Sequence, residues 1–498
     1  MPPYLLAIDV GTGSGRVALV NMEGGLECIA ARGYPTRTPR PGWSEQRPAD
    51  WWDAVRAGTH QVLHDTGVAP EAIAGLAVCG QMHGPVPIGR DDESLLEHVQ
   101  LWNDKRAEAI CESFRLGEDE DALRPRTGNP VAPSWVGFKV AWIARHQPDI
   151  YERARAFLVP KDYLNLRLTG VAATDYSEAS GSYVLDCESR RYDPDLAARL
   201  GVEADKFASP RSSTYVIGTV TTAAAEATGL AAGTPVVAGG GDFLVSLLGA
   251  GAARPGTGAD VTGTSNLVSV FAPRPIIDGR IQNLHAADVR GWVPFGLIDA
   301  GGGALRWARR TFGPELDYAA IDEAASAAGP GAEGLLFLPY LTGERLGGAS
   351  NSRAQLFGLT ERHDLGHVWR AVLEGVALAS RRNVEVMRGA GAAFDRIIAT
   401  GGGANSALWL RIKAAAYRLP VATPREVESG LIGCAILAGC GAGLFDDTAS
   451  AVEGMVSIGE PVHPDAQWAA RYDELAAVFD RLREQAAEHF DRLDHLSS

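Results

Sequence analysis

The chain has 498 residues, 46% hydrophobic and 21% charged, with a formal net charge of −15. That length exceeds one ordinary core and points to two domains of roughly 200–250 residues. The acidity argues against nucleic acid or an anionic membrane as a bulk partner, while a small anion held by backbone amides, a few bases and a metal ion stays compatible with it.

In chain order, the start "MPPYLLAIDVG" has no basic region and is interrupted by Asp9, so no signal peptide is expected. Leu5–Asp9 reads as a buried strand, Gly11–Gly15 as a turn, Arg16–Val20 and Leu26–Tyr34 as further strands. A helix begins near Ala49, a short strand is expected at Gly75–Cys79, and a helix at Trp135–His146. The first half closes on Thr234–Gly239. "GADVTGTSNLVSVFA" (Gly258–Ala272) then repeats the strand, Gly-Thr turn, strand plan of "AIDVGTGSGRVALV", which implies duplication of one α/β unit. Arg396–Thr400 reads as strand, Gly401–Ser406 as loop and Ala407–Tyr417 as helix. Asp465–Leu496 is a long amphipathic helix, or a pair, expected to cap the structure and to fold back on the first half. The longest apolar region, Pro235–Ala253, carries Asp242 and many glycines, which excludes a membrane span. Six scattered cysteines (Cys28, Cys79, Cys111, Cys187, Cys434, Cys440) form no C-x-x-C pair and read as reduced thiols of a cytoplasmic protein.

Three glycine-rich turns have the composition of phosphate cradles: Gly11–Arg16, Gly263–Asn266 and Gly401–Ser406. The first is not a dinucleotide fingerprint, because Arg16 stands at the third glycine position and a strand follows. No Walker lysine motif occurs. The third turn precedes a helix, whose N-terminal dipole suits a phosphate. Asp9, at the end of the first strand, is placed to hold Mg²⁺, directly or through water. Asp242 follows three glycines and precedes Phe243 and Leu244; those glycines would let a substrate approach, and the carboxylate would accept a hydroxyl proton during phosphoryl transfer. Polar clusters at "GQMHG", "LWNDKR", "PKDY" and "TDYSEASGS" have the donors and acceptors that read a polyol. The pairs His60/His64 and His363/His367 lack the glutamate of a zinc motif and read as surface histidines.

Taken in order, "AIDVGTGSGR", "GQMHG", "WNDKR", "LPKDYL", "TDYSEASG", "AGGGD", "TGTS", "LPYLTGER", "RAVLEGVALA" and "TGGGANSALW" resemble the FGGY-type carbohydrate kinases, most closely the xylulokinases. The resemblance implies an α/β fold of two actin/hexokinase-like (ribonuclease H-like) ATPase domains around a cleft, divided at residues 1–246 and 247–498. It implies sugar bound mainly on the first domain and MgATP mainly on the second. Asp242 matches the catalytic base and Asp9 the carboxylate near metal and phosphate. Met82 and His83 match the sugar-contacting pair, with Trp102, Asn103, Asp104, Arg106 and Phe243 around the same pocket. Thr12, Ser14 and Arg16 match the first phosphate loop and Thr264 the second. Gly302, Arg306, Gly402, Asn405 and Ser406 match the nucleotide region. The implied reaction is ATP-dependent phosphorylation of a terminal hydroxyl of a pentulose or related polyol, with no nucleic acid or membrane partner and room for a homodimer. The chain departs from the xylulokinase pattern at Phe243, where Asn or Gln is usual, and in "GERLGGASNSRAQLFG", which lacks the usual prolines. A dehydrogenase would need strand–loop–helix at residues 5–25, a chaperone-like ATPase leaves the first-half polar clusters unexplained, and a nuclease conflicts with the charge.

Overall fold

A computed structural model describes residues 3–287, 290–344 and 351–497. The first lobe opens with β1 (Tyr4–Val10), β2 (Ser14–Val20) and β3 (Leu26–Gly33), an antiparallel meander. Then come α1 (Pro48–Thr66), β4 (Ile73–Gly80), α2 (Val136–His146), α3 (Pro160–Thr169), β5 (Pro235–Val237) and α4 (Asp242–Gly249). β4 lies parallel to β1 and β5 parallel to β4, so the sheet runs β5–β4–β1–β2–β3, with Val216–Thr219 outside β5. α4 continues across the expected join at residues 246/247.

The second lobe repeats this plan. Its elements are β6 (Thr257–Thr262), β7 (Asn266–Val270), β8 (Trp292–Ile298), α5 (Gly302–Phe312), α6 (Leu365–Gly389), β9 (Arg396–Thr400), α7 (Ala407–Tyr417) and β10 (Val421–Ala422). The order β10–β9–β6–β7–β8 matches β5–β4–β1–β2–β3 strand for strand, as the repeated strand–turn–strand motif implies, while the added edge strands differ: Gln282–His285 lies outside β8, at the edge opposite to that of Val216–Thr219 in the first sheet.

Three helices follow among the described residues, α8 (Ser429–Gly441), a short one at Thr448–Met455 packed on α8, and α9 (Ala466–Ser497). α9 does not return to the first lobe. Its inward side chains, Ala469, Tyr472, Leu475 and Phe479, join the core of the second lobe. The helix that returns is α8, which packs on β1, β4 and α4 with Leu431, Cys434, Ala435 and Leu437 fully buried. Mean side-chain character explains the difference. α8 is apolar on all sides, as a helix covered on every face must be, whereas α9 has one apolar stripe and a charged outer surface. The lobes also meet away from the sheets. Asn129 Nδ2 donates to Asn283 O at 2.9 Å and accepts through Oδ1 from Asn283 N at 2.7 Å, while His285 N donates to Ser180 Oγ at 2.8 Å. No helix among the described residues is long and apolar enough to cross a membrane.

Candidate active site

The site residues gather at the carboxyl ends of parallel strands, where chain reversals leave side chains and amides facing a common crevice. Register does the gathering. Asp9 on β1 pairs with Cys79 on β4, and after a break beyond β5 Gly240 pairs with Cys79 from the other side. Asp9, the Met82-His83 pair just past β4, and Asp242 just past Gly241 are thereby carried to one edge.

The glycines before Asp242 have a reason other than the expected substrate approach. Gly239 has φ +70°, and a Cβ there would lie 1.9 Å from Val78 O. A Cβ on Gly241 would lie 2.6 Å from Met82 Cε. The run is bare because β4 and Met82 press against it, and that contact ties Met82 to the approach to Asp242. Asp242 opens α4, accepts from Phe243 N at 2.7 Å and keeps an edge open to the cleft. Burial, then the nearby Asp9 charge, push its carboxyl up to about 7. Burial also raises Asp9, opposed by Arg16, its cross-strand neighbour on β2. Asp9 accepts only a thiol among the described residues, Cys79 Sγ at 3.5 Å. A cation suits a carboxylate so placed.

The "PKDY" and "TDYSEASGS" clusters are buried supports and do not face substrate. Lys161 Nζ and Asn165 Nδ2 donate to Ala238 O at 3.1 and 2.9 Å. Ser177 Oγ accepts from Gly241 N at 2.9 Å. Within "LWNDKR" the roles divide. Trp102, at the cleft surface, donates through Nε1 to Thr12 Oγ1 at 3.0 Å, and Asn103 is exposed. Asp104 and Arg106 are spent on each other and on neighbours. Asp104 Oδ2 accepts from Ser44 N and Arg106 Nη2, both at 2.7 Å, and Arg106 also meets Glu45 Oε1 at 2.7 Å beneath the Trp43 ring. Those bonds brace the pocket wall.

His83 has φ +65° and stacks edge-on against Trp135 with ring centroids 5.2 Å apart. Burial, aided by the Lys139 charge, lowers its imidazole to about 3, so it is neutral. A neutral ring next to Met82 suits hydroxyls. Lys139 was not singled out from the sequence, yet its buried Nζ donates to His83 O and Trp102 O, each at 3.2 Å, holding the two pocket loops together. Gln46 was also missed. It donates to Thr12 O at 2.6 Å and accepts from Trp51 and Gln81. Phe243 meets Phe295 of β8 edge-on, ring centroids 5.4 Å apart, so one lobe's pocket residue leans on the other lobe.

On the first loop, Ser14 O accepts from Gly11 N at 3.1 Å and shapes the turn, while Arg16 Nη1 meets Glu428 Oε2 at 2.6 Å. On the second lobe, Thr264 Oγ1 accepts from Arg306 Nη2 at 2.8 Å, and a Cβ on Gly302 would fall 2.4 Å from Gly263 O. The first turn of α5 therefore sits directly under the Gly263–Thr264 turn. Gly402 and Asn405 are exposed at the turn before α7, and Ser406 caps α7 by accepting from Trp409 N at 3.0 Å while donating to Asp322. Two helix N-termini and a glycine turn thus converge at the ends of β6 and β9, an arrangement suited to phosphate. In "GERLGGASNSRAQLFG", residues 345–350 lie outside the described residues.

Comparison with known proteins agrees over the whole chain. The FGGY family of carbohydrate kinases, N-terminal domain, matches residues 4–249, and the C-terminal domain of the same family matches residues 258–442. The chain is 30% identical to a xylulose kinase of Bacillus subtilis (strain 168), over 96% of each chain. It is 29% identical to a gluconokinase of the same organism, over 97% of this chain and 96% of the other. The crystal structure of xylulose kinase from Rhodospirillum rubrum superposes with a TM-score of 0.91 at 30% identity, covering 98% of this chain and 100% of that one. With both lobes matched and the cleft built as described, the chain belongs to the FGGY family of carbohydrate kinases and is a sugar kinase.

Proposed function

We propose that this kinase transfers the γ-phosphoryl group of ATP to a terminal hydroxyl of a neutral ketopentose, D-xylulose first among the candidates, in a reducing cytoplasm. The observation that carries the chemistry is Asp242, a carboxyl raised to about 7 at the cleft floor beside Asp9 and Met82. A base with that proton affinity accepts the hydroxyl proton as the oxygen attacks phosphorus. Met82, neutral His83, Trp102 and Asn103 wall the sugar, and Phe243 supplies an apolar side. Thr12, Ser14 and Arg16 face the phosphates from one lobe. Thr264, Gly302, Arg306, Gly402, Asn405 and Ser406 frame the nucleotide from the other. Mg²⁺ held at Asp9 would offset the phosphate charge.

Neutrality of the substrate is argued from the cations at the pocket. Arg16 pairs with Glu428, Arg106 with Asp104 and Glu45, and Lys139 faces backbone carbonyls. An aldonate carboxylate would have to break one of these pairs or draw buried Lys139 off the carbonyls that hold the pocket loops, while a ketose needs only hydrogen bonds. An ADP-release assay over ketopentoses, aldopentoses, polyols and gluconate tests this, with turnover expected on a ketopentose and gluconate slower. Gluconate as the best substrate overturns the proposal of a neutral sugar. Asp242→Ala is expected to lower kcat by roughly 10²–10⁴ with nucleotide affinity kept. Phe243→Asn is expected to change the substrate ranking; an unchanged ranking removes Phe243 from specificity.

A further inference from the structure

Glu178 is a buried titratable group that the proposed chemistry leaves unused. It lies in the helical turn Tyr176–Ala179, is 2% exposed, and neither of its carboxyl oxygens has a hydrogen-bond partner among the described residues. Its neighbours are charged. Lys161 Nζ lies 2.5 Å from Asp162 Oδ1 and 3.0 Å from Asp175 Oδ1, with all three side chains at most 1% exposed. One lysine therefore answers three buried carboxylates, and its remaining donor goes to Ala238 O. Asp175 has further donors in Ser177 N and Ser213 Oγ, each at 2.9 Å. Glu178 has none.

Burial, reinforced by Asp162, Asp175 and Asp242, pushes the Glu178 carboxyl well above the usual range. Protonation alone does not complete the site, because no donor reaches either carboxyl oxygen among the described residues and the acid's C=O would stay unpaired. Either form needs a guest. Glu178 borders a cavity of about 20 Å³ whose polar lining is Asp162, Thr174, Glu178, Ser182 and Tyr192. That volume takes one water-sized occupant. Every polar side-chain atom in the lining is oxygen, the donor set of a hard cation. The space is too small for Mg²⁺ with the waters it retains.

We propose that the cavity bounded by Asp162, Thr174, Glu178 and Ser182 binds a single dehydrated monovalent cation, Na⁺ or K⁺. The ion balances Glu178 and fixes the turn on which Ser177 holds the amide of Gly241, one residue before Asp242.

Thermal unfolding of the full chain, without sugar or nucleotide, in KCl, NaCl and tetramethylammonium chloride at equal ionic strength tests the site independently of the sugar assignment. The expected Tm in K⁺ or Na⁺ exceeds that in tetramethylammonium by roughly 2 °C or more and rises with salt concentration. Glu178→Gln should abolish the difference. Equal Tm in all three chlorides overturns the proposal in favour of a water beside a neutral Glu178. A difference that persists in Glu178→Gln overturns it as well. Crystals of the unaltered protein grown in RbCl give a readout that needs no variant: an anomalous peak between Asp162 and Glu178 supports the site, and its absence overturns it.

Discussion

At the residue scale, Asp242 carries opposite demands of folding and chemistry. Its carboxyl is raised from 3.8 to about 7 by burial and by Asp9, so the folded protein holds this proton where the unfolded chain has released it. Stability from this group is complete below roughly pH 4 and is lost as pH rises toward 7, because in that interval the unfolded state binds fewer protons than the native one. Asp242→Asn, which has no charge to bury, is therefore expected to be more stable than the parent above pH 7, by on the order of 2–4 kcal/mol at most, and to unfold at a higher temperature. The gap should open between pH 4 and 7. Thermal scans of the ligand-free proteins at several pH values check it, and a gap that shrinks toward pH 7 contradicts the assignment. Asp242 was legible because a lone carboxylate after three glycines and before apolar residues is costly without a use. The purpose of the glycines was not legible: the partners that exclude a Cβ, Val78 O and Met82 Cε, lie more than 150 positions away in sequence.

At the scale of elements, the two copies of the Asp-Val strand have diverged. Asp9 faces the cleft, whereas Asp260 on β6 is fully buried and paired. Lys413 Nζ of α7 lies 2.6 Å from Asp260 Oδ1, Tyr417 donates to Asp260 Oδ2 at 2.6 Å, and Asn266 Nδ2 donates to Asp260 Oδ1 at 2.8 Å. These bonds clamp the strands on both sides of the Gly263–Ser265 turn. Lys413→Met would strand the Asp260 charge inside the protein and is expected to cost about 3–5 kcal/mol. Adding Asp260→Asn removes the orphaned charge and should restore much of that loss, which urea unfolding of the single and double variants measures. A double variant no more stable than Lys413→Met rejects the pairing argument. The strand–turn–strand pattern was readable because it is local, with pairing strands adjacent in sequence. Lys413 sat unremarked in a helical stretch, because its partner is 153 residues away. Lys139 escaped notice for the same reason, and Lys161, read as part of a polyol-facing cluster, is instead buried: a lysine's default place is the surface, and only tertiary structure shows which ones are buried.

For the whole molecule, the duplicated architecture was legible but the path of the C-terminal helices was not. A long amphipathic helix can cover any apolar face, and α9 covers the second lobe. α8 gives the stronger signal in retrospect, since "GLIGCAILAG" is apolar around its full circumference and requires burial on all sides. It lies on β1 and β4, with Cys434 Sγ against Ile8 O at 3.5 Å, and its first turn stands beside Asp9. The chain thus crosses from β10 of the second sheet, past Glu428 and its bond to Arg16, to complete the first lobe. The first lobe is consequently not a continuous piece of chain. A fragment of residues 1–256 lacks the helix that buries one face of β1 and β4, and the exposed strands should drive it to aggregate. The same fragment joined by a flexible linker to residues 428–456 regains that cover and is expected to remain monomeric, with cooperative unfolding. Size-exclusion chromatography and circular dichroism of the two proteins decide it: a monomeric, cooperatively folded 1–256 fragment would show that α8 is dispensable to the lobe, and with it the claim that Asp9 is held in place from the far end of the chain.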